Sequence, residues 1–163
     1  MSIRTDLDKL LQYAKLQNIT INIEPRTKET EDAAEIDFSS MTITLYQAPK
    51  DPIKYMIVSI LHELSHLVGY RNNPQDYEEY FRVSNLTSPT MMERYEIFSI
   101  ERRDVKLMPM IALLLGIKHV NQEVIMGWVR FDTWQYWYYY TFGVYPGRKE
   151  RVKKLVALGL RKR

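Results

Sequence analysis

The sequence predicts an α+β domain, a small antiparallel or mixed sheet of about three strands packed on a helical bundle. Three observations lead there. Period-two alternation of apolar and polar residues is confined to segments between residues 19 and 46. From residue 53 onward apolar residues recur at helical spacing instead. A hydrophobic fraction of 45% over 163 residues is enough for one core.

Taken in order, Thr5-Asp6-Leu7-Asp8 reads as a capping box. It opens an amphipathic helix with Leu7, Leu10, Leu11 and Ala14 on one face. Ile19, Ile21 and Ile23 alternate with polar residues and predict a strand over 19–24. A charged loop from Pro25 to Asp32 follows. Glu35 to Phe38 and Met41 to Tyr46 predict a β-hairpin through a two-residue turn, Ser39-Ser40. Asp51 as N-cap and Pro52 at the first helical position start a long helix. Its buried face is Ile57, Ile60, Leu61, Leu64 and Val68, and Gly69 is expected as its C-cap. After a loop through Asn72-Asn73-Pro74, a short helix is expected over 76–84. A longer one is expected from Thr90 to Met108, kinked or ended by Pro109 and continued to Leu115, with Gly116 as the stop. Residues 121–142 predict an aromatic-rich helix. Residues 148–158 predict a basic amphipathic helix with Val152, Leu155 and Val156 on one side.

The net charge of +3 conceals an asymmetry. Residues 148–163 hold eight of the 23 Lys and Arg and one of the 20 Asp and Glu, leaving 15 basic against 19 acidic residues elsewhere. The expected organisation is therefore one domain over 1–147 followed by a basic helix or tail over 148–163. With no cysteine, the chain has no disulfide framework, thiolate metal site or cysteine nucleophile. The charged, helical N-terminus does not read as a signal peptide, and the near-apolar run from Leu107 to Ile117 is too short to span a bilayer. A cytoplasmic protein without a membrane partner is expected, in the host-cell cytoplasm if the chain is viral.

The most informative segment is Leu61-His62-Glu63-Leu64-Ser65-His66-Leu67, which contains H-E-x-x-H. Two histidines four apart on a helix share a face, so both imidazoles can grip one Zn²⁺, while Glu63 stands beside the first ligand as a general base for water. A tetrahedral catalytic zinc needs a third protein ligand. Glu96 is preferred, because Ser99 one turn later allows close helix approach and Tyr95, Phe98 and Ile100 place it near the core. Glu93 comes next, then Glu101, which sits beside Arg102 and Arg103. A competing reading extends the motif to H-E-x-x-H-x-x-G-x-x-N, with Asn72 where a third histidine would complete a metzincin signature. Tyr70, Tyr95 and His119 are the candidate donors to an oxyanion, and His119 is also a candidate ligand.

The order hairpin, then D-P-I-K-Y-M-I-V-S-I-L-H-E-L-S-H-L-V-G-Y, then a helix with E-x-x-S, resembles the small zincin-fold metallopeptidases. Within these it is most similar to the ImmA/IrrE-like group and related phage and plasmid proteins, over roughly residues 35–117. The resemblance implies a zincin-like fold and zinc held by His62, His66 and a downstream glutamate, by position Glu96. It also implies that Glu63 activates water to hydrolyse a peptide bond in a protein or peptide substrate. The chain departs from the family in carrying Ile97 directly after Glu96, where alanine is usual. Strand 41–46 is expected to offer an edge to an extended substrate. The aromatic residues Trp128, Phe131, Trp134, Trp137 and Tyr138 read first as core. The alternative is a catalytically weak binding module that meets a protein partner or nucleic acid through its aromatic segment and basic tail.

Overall fold

The computed structural model describes residues 2–27, 34–48 and 52–161. The order is α1 (Ile3–Leu16), β1 (Thr20–Pro25), β2 (Ala34–Asp37), β3 (Thr42–Gln47), α2 (Ile53–Asn72), α3 (Pro74–Ser84) and α4 (Met91–Asp104). A 3-10 turn over Val105–Leu107 leads into α5 (Met108–Leu114), followed by α6 (Gln122–Phe142) and α7 (Arg148–Ala157). The fold is α+β with a three-stranded mixed sheet. None of the described helices is long and apolar enough to cross a membrane.

The sheet order is β1-β3-β2. β3 runs parallel to β1, with Thr20 opposite Thr42, and antiparallel to β2, with Asp37 opposite Thr42. β3 is thus the central strand, paired on both sides, and the expectation that residues 41–46 offer a free edge is corrected. Ile43 and Leu45 of β3 point into the core and are fully or nearly fully buried. The hairpin is present, but its turn spans residues 38–41 rather than two. Asp37 decides this: its carboxylate accepts hydrogen bonds from the Ser39 amide at 2.8 Å and from the hydroxyls of Ser39 and Ser40 at 2.6 and 2.8 Å. Such side-chain acceptance stabilises a wider turn. Met41 closes it at φ 53°.

α2 is the central helix. From Met56 to Leu67 its residues are buried on nearly every side, because α1, α3, α4, α5 and the sheet all pack against it. Its expected cap Asp51 lies outside the described residues, and Pro52 is the N-cap rather than the first helical residue. Gly69 does not end it; the helix runs on to Asn72. The glycine serves another end. A Cβ there would fall 2.4 Å from Oδ1 of Asp104, so Gly69 opens the space into which α4 brings that carboxylate.

Two more boundaries moved. α1 begins at Ile3 with Ser2 as its N-cap, so Thr5 stands at the third helical position instead of at the cap, and Asp6 is buried within the helix. The predicted helix over Thr90–Met108 divides at Asp104, and Pro109 falls in the first turn of α5, where a missing N–H costs no hydrogen bond. α6 follows expectation, with Asn121 accepting from the Val124 amide at 2.8 Å and Gly143 in the left-handed region. α7 lies along α6. Leu160, just beyond it, packs where Gly127 has no side chain, and Lys154 Nζ sits 5.5 Å from the Trp134 ring. Residues 162–163 of the basic tail lie outside the described residues.

Candidate metal centre

Helical spacing alone brings His62 and His66 together: their Nε2 atoms are 3.0 Å apart. α4 supplies the third group. Glu101 Oε2 lies 3.1 Å from His66 Nε2, and one ligand atom from each of His62, His66 and Glu101 falls within 4.8 Å of the others. Each histidine is backed by a carboxylate on its other nitrogen, His62 Nδ1 by Asp132 at 3.1 Å and His66 Nδ1 by Asp104 at 3.4 Å. A carboxylate at Nδ1 draws the proton there and leaves Nε2 as a lone pair. Glu101 is turned the same way. Its Oε1 accepts the Tyr80 hydroxyl at 2.7 Å, while its buried Oε2 has no hydrogen-bond donor.

Three lone-pair atoms therefore converge on one point, and only a proton or a cation makes that arrangement favourable. The charge balance says the same. Glu63, Glu101, Asp104 and Asp132 are 7%, 1%, 0% and 8% exposed. Among the described residues, Arg103 on Asp104 at 2.7 Å is the one Lys or Arg ion-paired with any of them. Buried carboxylates in such excess need compensating positive charge, from protonated imidazoles or from a bound cation. Two imidazoles and one carboxylate are the donor set of a catalytic zinc site, so the residues fit that ion.

Without a cation, protons take its place. Burial disfavours a charged His62, but the Asp132 carboxylate outweighs it and the ring is pushed up to about 9. Burial likewise opposes protonation of His66, and Glu101 and Asp104 overcome it. Burial would raise Glu101, yet the His66 charge holds it below the usual carboxylate range. Glu63 moves the other way: burial raises it more than the two histidines lower it.

The structure separates the glutamates of α4. Glu101, not Glu96, meets the histidines. Glu96 lies five residues earlier, about 140° around the helix. Glu93 is the capping residue of α4, accepting from the Thr90 amide and hydroxyl at 2.8 and 2.9 Å and pairing with Arg82 at 3.0 Å. Ranking by flanking residues misleads because neighbours along a helix point to different sides. The spatial neighbours of Glu101 are Ile97 and Asp104, both buried. The room expected from a small residue on α4 comes instead from Gly69 on α2. Asn72 is simply the last residue of α2, which continues through Gly69 without the turn the extended motif would need.

The proposed oxyanion donors lie in other clusters. Tyr70 packs with Phe38, Tyr77 and Phe81. Tyr95 is half exposed, against Phe98 and Tyr140. His119 Nδ1 is 3.1 Å from Asp6, a buried carboxylate that also accepts the Lys118 and His119 amides at 2.9 and 2.6 Å. Sequence reasoning passed over Asp104, Asp132, Tyr77 and Tyr80. Tyr77 is fully buried, with its hydroxyl 3.0 Å from the His66 carbonyl and bonded to Asp104. Two signals pointed there. Glu101 and Asp104 are an E-x-x-D pair on one helix face, and Asp132 is an acid inside an apolar, aromatic helix.

No protein-family model, curated protein or solved structure matches this chain. Its functional reading rests on the chemistry of the site.

Proposed function

We propose that the protein is a zinc-dependent peptidase with a zincin-like arrangement, hydrolysing a peptide bond in a protein or peptide substrate. The observation that carries this reading is the convergence of His62, His66 and Glu101 beside a buried Glu63, among more carboxylates than the surrounding cations balance. When bound, Zn²⁺ supplies Lewis acidity, which polarises a carbonyl and makes water acidic near neutral pH. Asp132 and Asp104 hold the two imidazoles with Nε2 inward. Glu63, raised by burial, accepts the proton of the attacking water and returns it to the leaving amine. β2, at the antiparallel side of the sheet, is an edge strand among the described residues and replaces β3 as the place where an extended substrate would pair.

The test is elemental analysis of purified protein together with Glu63→Gln. One zinc per chain in both proteins, with cleavage of a casein or peptide-library substrate lowered by about 10²–10⁴-fold in the variant, is the expected result. Wild-type protein that takes up no zinc ends the proposal. A second reading, a binding module built on the same fold, is favoured by the exposed Trp137, Phe142, Val144 and Tyr145 at the end of α6 ahead of the basic α7. Zinc bound without cleavage of any substrate would turn the assignment that way.

A further inference from the structure

Peptide hydrolysis builds negative charge on the carbonyl oxygen, and a fixed donor aimed at that charge is a large part of catalysis. Two donors beside the site are already used: Tyr80 on Glu101 and Tyr77 between Asp104 and the His66 carbonyl. Tyr136 is different. It stands one turn after Asp132 on α6, so it shares the helix face whose carboxylate touches His62. Its ring is held edge-on to Tyr145 at 5.8 Å, and Tyr145 in turn stacks on Tyr139. Its side chain is half-buried, and among the described residues its hydroxyl makes no hydrogen bond. Burial, with Glu101, Tyr80 and Asp132 close enough to act on it, pushes the phenol well above its ordinary range, so it stays a donor throughout the working pH.

We propose that the Tyr136 hydroxyl is the hydrogen-bond donor to the substrate oxyanion, a role that rests on the zinc-peptidase reading. The water oxygen adds to the carbonyl carbon, the carbonyl π pair moves to oxygen, and that oxygen accepts the Tyr136 hydrogen bond while Glu63 holds the water's proton. Collapse restores the carbonyl, breaks the C–N bond and passes the proton from Glu63 to nitrogen. Tyr136 keeps its own proton throughout.

Acetohydroxamate, an anionic oxygen ligand for such a metal, is the probe, and Co²⁺ in place of zinc makes its binding visible by absorption. Wild type, Tyr136→Phe and Tyr139→Phe are compared; phenylalanine keeps the ring contact with Tyr145. Expected are one Co²⁺ per chain in all three and acetohydroxamate affinity about tenfold to a hundredfold weaker in Tyr136→Phe alone. Unchanged affinity in Tyr136→Phe overturns the donor and leaves the metal site standing. Loss of Co²⁺ in that variant overturns it as well, making the phenol a ligand or a structural support. Wild-type protein that binds no Co²⁺ overturns the peptidase reading and this inference together.

Discussion

The molecule uses histidine beside aspartate in two places, to opposite ends. At Asp6 and His119 donors converge on one carboxylate oxygen: Oδ2 takes the Lys118 and His119 amides and faces the imidazole, while Oδ1 accepts no hydrogen bond and has the Lys9 ammonium 3.7 Å away. The pair ties α1 to the loop between α5 and α6, and a lysine ammonium stands beside the remaining oxygen. At His62 and His66 the aspartates instead hold the rings from behind, and the inward nitrogens face each other and a donor-free glutamate oxygen. A histidine–carboxylate contact is structural when donors converge on it and ligand-like when acceptors do. The second arrangement is stable only around positive charge.

The largest effect that could break this contrast is on metal content. Glu101→Ala should lower zinc affinity by about a hundredfold or more, while Glu96→Ala and His119→Ala leave one zinc per chain, read by elemental analysis after dialysis against a weak chelator. Zinc lost from Glu96→Ala and kept by Glu101→Ala would reverse the assignment.

A middling effect separates the supporting aspartates. Asp132→Asn and Asp104→Asn should each weaken zinc by about 10–100-fold. Asp104→Asn should also lower the melting temperature of metal-free protein, since Asp104 ties α4 to Tyr77 of α3. Asp6→Asn should cost about 1–3 kcal/mol of stability, by leaving the amides of the α5–α6 loop poorly paired, with zinc affinity unchanged. Equal metal loss in Asp6→Asn would erase the distinction between the two pairs.

The smallest effect is in pH. Burial raises Asp6, but the amides and His119 outweigh it and hold the group below its ordinary value of 3.8. A lowered folded-state value favours the folded chain above pH 3.8, and that contribution fades as pH falls below it. Thermal melts of wild type and Asp6→Asn should therefore differ more above pH 5 than below pH 3.8 and converge toward pH 3. A gap that widens in acid would contradict the sign.

The sequence by itself determined whatever depends on local geometry. An i, i+4 pair on a helix must share a face, so His62 and His66 were legible together with Glu63, and the period of apolar residues marked each helix and the hairpin. Only the tertiary structure decided the rest. Glu101 over Glu96 depends on which face of α4 meets α2, and that was settled by the space at Gly69. Asp132 and Tyr136 come from a helix about 70 residues beyond His62 in the chain, and no local period says where its faces dock. The hairpin was visible, but not that β1 would pair with β3 in parallel and leave β2 at the edge, because strand order follows from long-range packing on α2.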